Sequence, residues 1–312
     1  MKVLVTGAAG AIGSTLAERL VREGHEVTAL DCFTEYYDVA QKEANADALA
    51  TAGVTVARID LAEDDLAPHM RGVEAIFHCA AQPGISASVP FDTYERNNIR
   101  ATERLLEAAR SSDALGHFIN IATSSIYGKE ANGPETSEPK PASHYGVTKL
   151  AAEQLAMALH RDIGFPATSL RLFSVYGERE RPDKLYHKLI RAILAGELFP
   201  LYEGSREHVR SYTYVGDIVD GFLAVLARRD AVLGEVINIG TDVTHTTGEG
   251  IDLVQELMGK EARFDMQPPR PGDQKETAAD ISKARRLLGY DPRTGLREGL
   301  AHEIAWVEAM QR

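Results

Sequence analysis

The sequence predicts an α/β chain: a doubly wound parallel sheet followed by a smaller C-terminal α/β domain. Three observations carry this. Short apolar runs alternate with stretches of helical spacing through the first half, as parallel βαβ units require. A glycine-rich turn joins the first run to the first helical stretch. Past about residue 172 the alternation loosens into helical segments separated by Gly/Pro loops. Residues 1–172 are expected to form the first domain and 173–312 most of the second, with some later segments returning to the first.

In order, Lys2–Thr6 (KVLVT) is a short apolar run, and 11–23 carries Ile12, Leu16 and Leu20 at helical spacing. Residues 26–30, 54–58 and 74–78 read as strands. Residues 94–111 read as helix, 117–122 as strand, 144–162 as helix and 166–171 as strand. Further helices are expected near 183–195, 217–228, 247–258 and 296–310, with a loop at Pro268-Pro269-Arg270-Pro271-Gly272. No internal repeat or low-complexity tract interrupts the pattern.

The 312 residues are 44% hydrophobic and 26% charged, enough to bury a large core. Lys and Arg total 34 against 46 Asp and Glu, a net charge of −12 with no basic run, so nucleic acid and membrane are poor partners. A few placed arginines would still allow an anionic small substrate. Cys32 and Cys79 make neither a metal spacing nor a disulfide framework, which fits a cytoplasmic protein. The apolar runs are too short to span a bilayer, and a strand starting at Lys2 leaves no room for a signal peptide.

Gly7-Ala8-Ala9-Gly10-Ala11-Ile12-Gly13 follows the first strand and opens the first helix. Glycines there allow a tight turn and let backbone N–H groups approach a pyrophosphate, which the helix N-terminus stabilises. Asp31 ends the second strand, where a carboxylate accepts hydrogen bonds from the adenosine ribose and repels a 2′-phosphate. Cys32 and Phe33 follow rather than an arginine, so the cofactor read is NAD, not NADP. Asp60 either bonds the adenine amine or caps a helix.

Tyr145 and Lys149 stand at i,i+4, on one helix face. A phenol is a poor base at neutral pH. An ammonium one turn away, with a cationic nicotinamide ring, would favour phenolate and lower its pKa. Ala122-Thr123-Ser124-Ser125 precede the pair at the end of a predicted strand, the carboxyl edge where a hydroxyl reaches both cofactor and substrate.

With these motifs the chain resembles the extended short-chain dehydrogenases/reductases of the nucleotide-sugar epimerase/dehydratase family, over nearly its whole length. Further shared features are His78-Cys79-Ala80-Ala81, Asn97-Asn98, Arg171-Leu-Phe-Ser174-Val-Tyr176-Gly177, Arg210 through Asp217, Asn238-Ile-Gly240 and Ala279-Asp280. The resemblance implies a Rossmann-type fold and a homodimer pairing the helices near 94–111 and 144–162. Their apolar positions (Leu105, Ala108, Ala109, Ala151, Leu155, Leu159) fit that or packing on the sheet. It implies an NAD site of Gly7, Gly10, Ala11, Ile12, Gly13, Asp31, Asp60, Leu61, Ala80, Ala81, Asn98, Tyr145 and Lys149. Thr123, Tyr145 and Lys149 take the catalytic roles. Thr123, Ser124, Ser125, Ser174, Arg181, Arg210 and Arg270 face a UDP-sugar, with Arg210 and Arg270 on the diphosphate.

The family's shared step oxidises the sugar 4-hydroxyl. Its dehydratases carry Asp-Glu after the catalytic Thr, and its glucuronate decarboxylases carry a Glu in the same stretch. Ser124 and Ser125 are too weakly acidic for either task, which leaves 4-epimerisation. Many relatives have Asn where Ser174 stands, whereas a Thr there, with Arg-Pro-Asp seven residues on as in Arg181-Pro182-Asp183, is similar to UDP-glucuronate 4-epimerases: a small hydroxyl leaves room for a C6 carboxylate, and Arg181 would bind it. Alternatively Arg181 caps the helix near Pro182 or pairs with Glu178 or Glu180. Two features depart from that pattern: no basic residue occurs in Gly84-Ile85-Ser86-Ala87-Ser88, and the 202–210 segment is one residue longer than usual. The competing activities are UDP-glucose/UDP-galactose 4-epimerisation, UDP-glucuronate decarboxylation, and NAD binding without catalysis.

Overall fold

The computed structural model describes residues 1–84, 88–269 and 274–310. Its centre is a seven-stranded, all-parallel sheet of Rossmann type. Its first five strands in sequence are β1 (Lys2–Thr6), β2 (Glu26–Asp31), β3 (Val56–Arg58), β4 (Ala75–His78) and β5 (His117–Thr123). Strand Ala167–Leu172 pairs with β5, and Val236–Ile239 pairs with Ala167–Leu172 at the edge. Across the sheet the order is Val236–Ile239, Ala167–Leu172, β5, β4, β1, β2, β3. The chain leaves β1 toward β2 on one side and returns to β4 on the other. That reversal opens a crevice at the carboxyl ends of β1 and β4.

Both sheet faces are covered. Helix α1 (Ala11–Arg22) and helix Val215–Ala227 pack one core with Val3, Val5, Phe77, Ile119 and Ile237. Helices Ala101–Arg110 and His144–Ile163 cover the other face with Leu4, Ile76 and Phe118. Leu105 and Ala109 are buried in that second core, and Ala108, Leu155 and Leu159 pack at its margin. A third core lies beyond the carboxyl edge and gathers Tyr176, Tyr186, Ile190, Phe199, Ile251, Leu300 and Ile304. It includes helices Leu185–Ala195, Thr247–Met258 and Leu296–Met310.

Three elements differ from the sequence reading. The third strand starts at Val56, because the Val54 amide donates to the Leu49 carbonyl and closes the helix before it. That helix, α2 (Val39–Thr51), escapes apolar periodicity, since its buried face is largely polar: Gln41, Lys42 and Asn45 with Leu49. Asp38 caps it by accepting from the Ala40 amide. The expected helix 94–111 is instead one α-turn (Phe91–Tyr94), a wide π-helical stretch (Glu95–Arg100) and then Ala101–Arg110. Such wide turns recur at functional sites; this one carries Asn98 into the crevice wall.

Candidate active site

The dinucleotide loop is built from close contacts that only glycine permits. Gly7 has φ +68°, and a Cβ there would lie 2.8 Å from the Ala80 nitrogen. A Cβ on Gly13 would overlap the Gly7 carbonyl oxygen. Gly10 caps α1 without a side chain, and the first turn carries no acidic residue, so its amides are left for an anion. Ala11 and Ile12 open that turn.

Asp31 is buried at the end of β2, and both its oxygens accept backbone amides: Ala9 at 3.0 Å and Phe33 at 2.7 Å. The carboxylate thus ties the glycine loop to the second strand. The absence of a neighbouring arginine needs correction. Arg58 is Asp31's partner on β3, its guanidinium 4.0 Å from the Phe33 ring centroid. Arg58 is engaged by Glu43. Asp60 accepts the Ala62 amide at 2.9 Å and pairs with Arg96 at 2.7 Å. No helix starts there; Asp60 closes the turn 61–64 instead of capping a helix. Leu61 is buried beside it, its carbonyl accepting from Arg104.

A polar wire fixes the floor of the crevice. Burial pushes the His78 imidazole down to about 3, so it is neutral. The Thr102 hydroxyl donates to the Asn98 carbonyl at 2.6 Å, so it accepts at His78 Nε2, 2.9 Å away. The Nδ1 lone pair then takes the Thr6 hydroxyl at 2.8 Å, and Thr6 accepts the Ala80 amide at 3.2 Å. Asn98 accepts the Gln82 amide and donates to Thr148 Oγ1 at 3.0 Å. Asn98 thus joins the Ala80–Ala81 turn to the helix of the Tyr/Lys pair.

That helix begins at the Ser143 cap, whose hydroxyl accepts the Gly146 amide. Gly146 presses on the turn after β5: a Cβ would lie 2.6 Å from the Ser125 carbonyl oxygen. This contact brings Tyr145 beside Thr123, whose hydroxyl pulls the phenol pKa down. Thr123 also accepts the Ser125 amide at 3.2 Å, and Ser124 is buried in the same turn.

The electrostatics differ from the expectation for Tyr145. Burial raises the phenol above its ordinary value, with the Thr123 contact and Arg181 pulling the other way. Lys149 is itself buried, 3% exposed, and burial lowers its ammonium to about 8 against weaker opposing pulls from Cys79 and Glu153. Glu153, one turn on, is neutralised by Arg171 at 2.7 Å in a fully buried pair. In the chain alone Tyr145 is therefore a protonated phenol, because a desolvated lysine is a weak source of field when its own charge is disfavoured.

On the substrate side, Ser174 stands at a strained φ of +24° just past the strand end. Arg181 neither caps a helix nor pairs with Glu178 or Glu180. Its Nε and Nη2 bond Asp183 at 2.9 and 3.1 Å, and its guanidinium lies 5.5 Å from the Tyr36 ring centroid. Its side chain is 18% exposed, and it acts electrostatically on Tyr145. Arg210 donates to the carbonyls of Val209 and Gln274, which hold it against the neighbouring strand. Arg270 lies outside the described residues.

Gly146, Tyr36 and Glu153 escape sequence reasoning, and Asp183, part of the Arg181-Pro182-Asp183 motif, gains its role as the Arg181 partner only from the structure. Gly146 had a usable signal: glycine inside a helix costs about 1 kcal/mol unless a close approach requires it.

The chain matches the family described as NAD dependent epimerase/dehydratase over residues 3–240. It is 38% identical to the uncharacterized UDP-glucose epimerase YtcB of Bacillus subtilis (strain 168), covering 99% of each chain. It is 32% identical to UDP-glucuronate 4-epimerase 2 of Arabidopsis thaliana over 98% of this chain and 75% of that protein. Among solved structures, UDP-glucuronic acid 4-epimerase from Bacillus cereus, in complex with UDP-glucuronic acid and NAD, superposes with a TM-score of 0.95 at 36% identity. That match covers 99% of this chain and 100% of the other. The glycine turn, the amide-held acid and the Thr/Tyr/Lys cluster thus sit in a fold and sequence shared from end to end, and the chain belongs to the NAD dependent epimerase/dehydratase family.

Proposed function

We propose that the protein is an NAD-dependent UDP-sugar 4-epimerase interconverting UDP-glucuronate and UDP-galacturonate. The glycine turn, with space that a Cβ would fill, and the amide-held Asp31 fit a dinucleotide. Gly7, Gly10, Ala11, Ile12, Gly13, Asp31, Asp60, Leu61, Ala80, Ala81, Asn98, Tyr145 and Lys149 would hold it. When bound, NAD supplies reversible hydride acceptance at C4 of the sugar. Tyr145 takes the 4-hydroxyl proton, Thr123 orients that hydroxyl, and Lys149 with the cationic ring draws the phenol toward phenolate. The 4-keto sugar would turn over within the site, Tyr145 would return the proton to its oxygen, and C4 would take the hydride from the cofactor on its other face, with no net redox change.

One observation carries the substrate reading: Arg181 Nη2 lies beside Gly84, whose carbonyl accepts from Tyr94, packed in turn on His144 next to Tyr145, so a cation for a C6 carboxylate stands near the base. Asp183 occupies the Nε/Nη2 edge, and a substrate carboxylate takes Nη1 or displaces it. A 4-keto glucuronate loses CO₂ when its carboxylate stands perpendicular to the ketone. Thr123, Ser124, Ser125, Ser174 and Arg181 would hold that bond out of alignment, with Arg210 and Arg270 toward the diphosphate. Residues 1–172 would chiefly bind NAD and 173–312 the nucleotide sugar. The active form in this reading is a cytoplasmic homodimer meeting on helices Ala101–Arg110 and His144–Ile163. No described helix is long and apolar enough to cross a membrane.

The test is product analysis after incubation with UDP-glucuronate and no added cofactor. UDP-galacturonate is expected. Stoichiometric CO₂ with a UDP-pentose would indicate decarboxylation. Turnover of UDP-glucose with UDP-glucuronate inert would move the substrate to the neutral sugar. Arg181→Ala should cost about 10- to 100-fold on UDP-glucuronate, the worth of one charged hydrogen bond, and far less on UDP-glucose. Equal losses would refute the clamp.

A further inference from the structure

We infer that Glu303 is a positioning residue for the substrate-carboxylate clamp: a neutral carboxyl group that donates a hydrogen bond to Glu180 and so fixes the loop carrying Arg181. The inference rests on the proposed role of Arg181.

Glu303 lies on helix Leu296–Met310 and is 0% exposed; Glu180, on the loop after Tyr176, is also buried. Both Glu303 carboxyl oxygens are buried without a donor among the described residues, and its carboxyl group and that of Glu180 act on each other's ionisation. Ionised carboxylates only accept, so a contact between two of them requires a proton. The surroundings say which group carries it. Glu180 Oε1 has the Lys184 ammonium at 3.8 Å, and its Oε2 accepts the His187 amide at 3.4 Å. Neither Glu303 oxygen has a well-formed donor among the described residues, and the Gly177 amide gives only a minor pull. Glu180 is therefore the anion and Glu303 the acid. Burial raises both carboxyl groups, Glu303 well above the usual range.

The other titratable groups facing the pair are Arg181, the His187 imidazole and the phenols of Tyr176, Tyr186 and Tyr212. Burial keeps His187 neutral-leaning, and its Nδ1–H donates to the Glu180 carbonyl at 2.7 Å. Burial raises all three phenols, so none adds charge near neutrality.

The loop is anchored from two sides. On one, the Gln41 amide of α2 donates to the carbonyls of Arg179 and Glu180 at 3.0 and 2.9 Å, and Arg179 pairs with Glu18 of α1 at 2.8 Å. On the other, the Glu180 side chain reaches Glu303 on the C-terminal helix. Arg181 emerges between these anchors. Ionising Glu303 would place two like charges in dry contact and push the second anchor apart, moving Arg181 while leaving Thr123, Tyr145 and Lys149 in place.

The experiment compares KM and kcat for UDP-glucuronate across the neutral to alkaline range in wild type, Glu303→Gln and Glu303→Leu. In wild type, KM should rise as Glu303 ionises, by up to about tenfold per pH unit for a single titrating group, with kcat little changed. Glu303→Gln keeps a neutral donor and should flatten that rise. Glu303→Leu removes the donor and should raise KM about tenfold at every pH, with Gln restoring what Leu loses. Thermal stability gives a readout that needs no substrate. An acid whose folded pKa is raised supports the fold fully at low pH and loses that support as pH climbs from the ordinary carboxylate value through the raised one. Wild type should lose more stability than Glu303→Gln as the pH climbs, the difference between the two curves reporting Glu303. Superimposable pH profiles for wild type and Glu303→Gln would overturn the inference alone. A wild-type enzyme inert toward UDP-glucuronate at every pH would instead overturn the proposed function, and the stability comparison would still decide where the proton resides.

Discussion

Replacing the lysine of the Tyr/Lys pair should make the protein more stable and less active. Lys149 is buried, and burial lowers its ammonium from 10.5 to about 8. Each pKa unit is worth about 1.4 kcal/mol of differential interaction. Below pH 8 the folded chain therefore carries a burden of roughly 3 kcal/mol for keeping this charge out of water. Lys149→Met preserves the length of the side chain and removes the charge. It breaks no ion pair among the described residues, because Glu153 is already matched by Arg171. The expected gain, at about 2 °C per kcal/mol for a chain of this size, is roughly 5 °C in Tm for nucleotide-free protein near neutral pH. The sign with pH follows from the depressed value. The unfolded chain holds the lysine proton up to about 10.5 and the folded chain only to about 8. Wild type accordingly recovers stability between those values, and the advantage of the variant shrinks to nothing. Epimerisation should fall by about 10²- to 10⁴-fold, the usual worth of a positioned proton-transfer group. Calorimetry of stripped protein over a pH series, paired with a product assay, is the measurement. A variant that melts at or below the wild-type temperature, or by the same margin at every pH, would refute the reasoning.

The buried pair behind that lysine should respond in the opposite sense. Glu153→Ala leaves the Arg171 guanidinium buried and unmatched, at a cost of about 3–5 kcal/mol; chemical denaturation should report it, and a second change, Arg171→Met, should recover much of the loss. Gly13→Ala drives a methyl group into the Gly7 carbonyl. It should cost about 1–3 kcal/mol of overpacking and yield protein without bound nucleotide. Nucleotide release on heat denaturation, quantified by chromatography, checks this, and a full complement of NAD would contradict the loop geometry.

Local patterns determined the parts of this protein that depend on neighbouring residues along the chain. Alternating apolar runs set the parallel sheet, the Gly7/Gly10/Gly13 spacing set the dinucleotide turn, and i,i+4 geometry put Tyr145 and Lys149 on one face. Period and spacing are readable because helix and strand repeat every few residues. Other features were decided only when the chain folded back on itself. Helix α2 buries polar groups and so carries no apolar stripe. Arg58 reaches Asp31 through strand register, not sequence proximity. Gly146 is needed because the Ser125 carbonyl presses on it from another element. Glu303 meets Glu180 because the last helix packs beside the loop after Tyr176. Polar pairing across long stretches of chain leaves no periodic trace, and its charge states depend on a burial that only the assembled core creates.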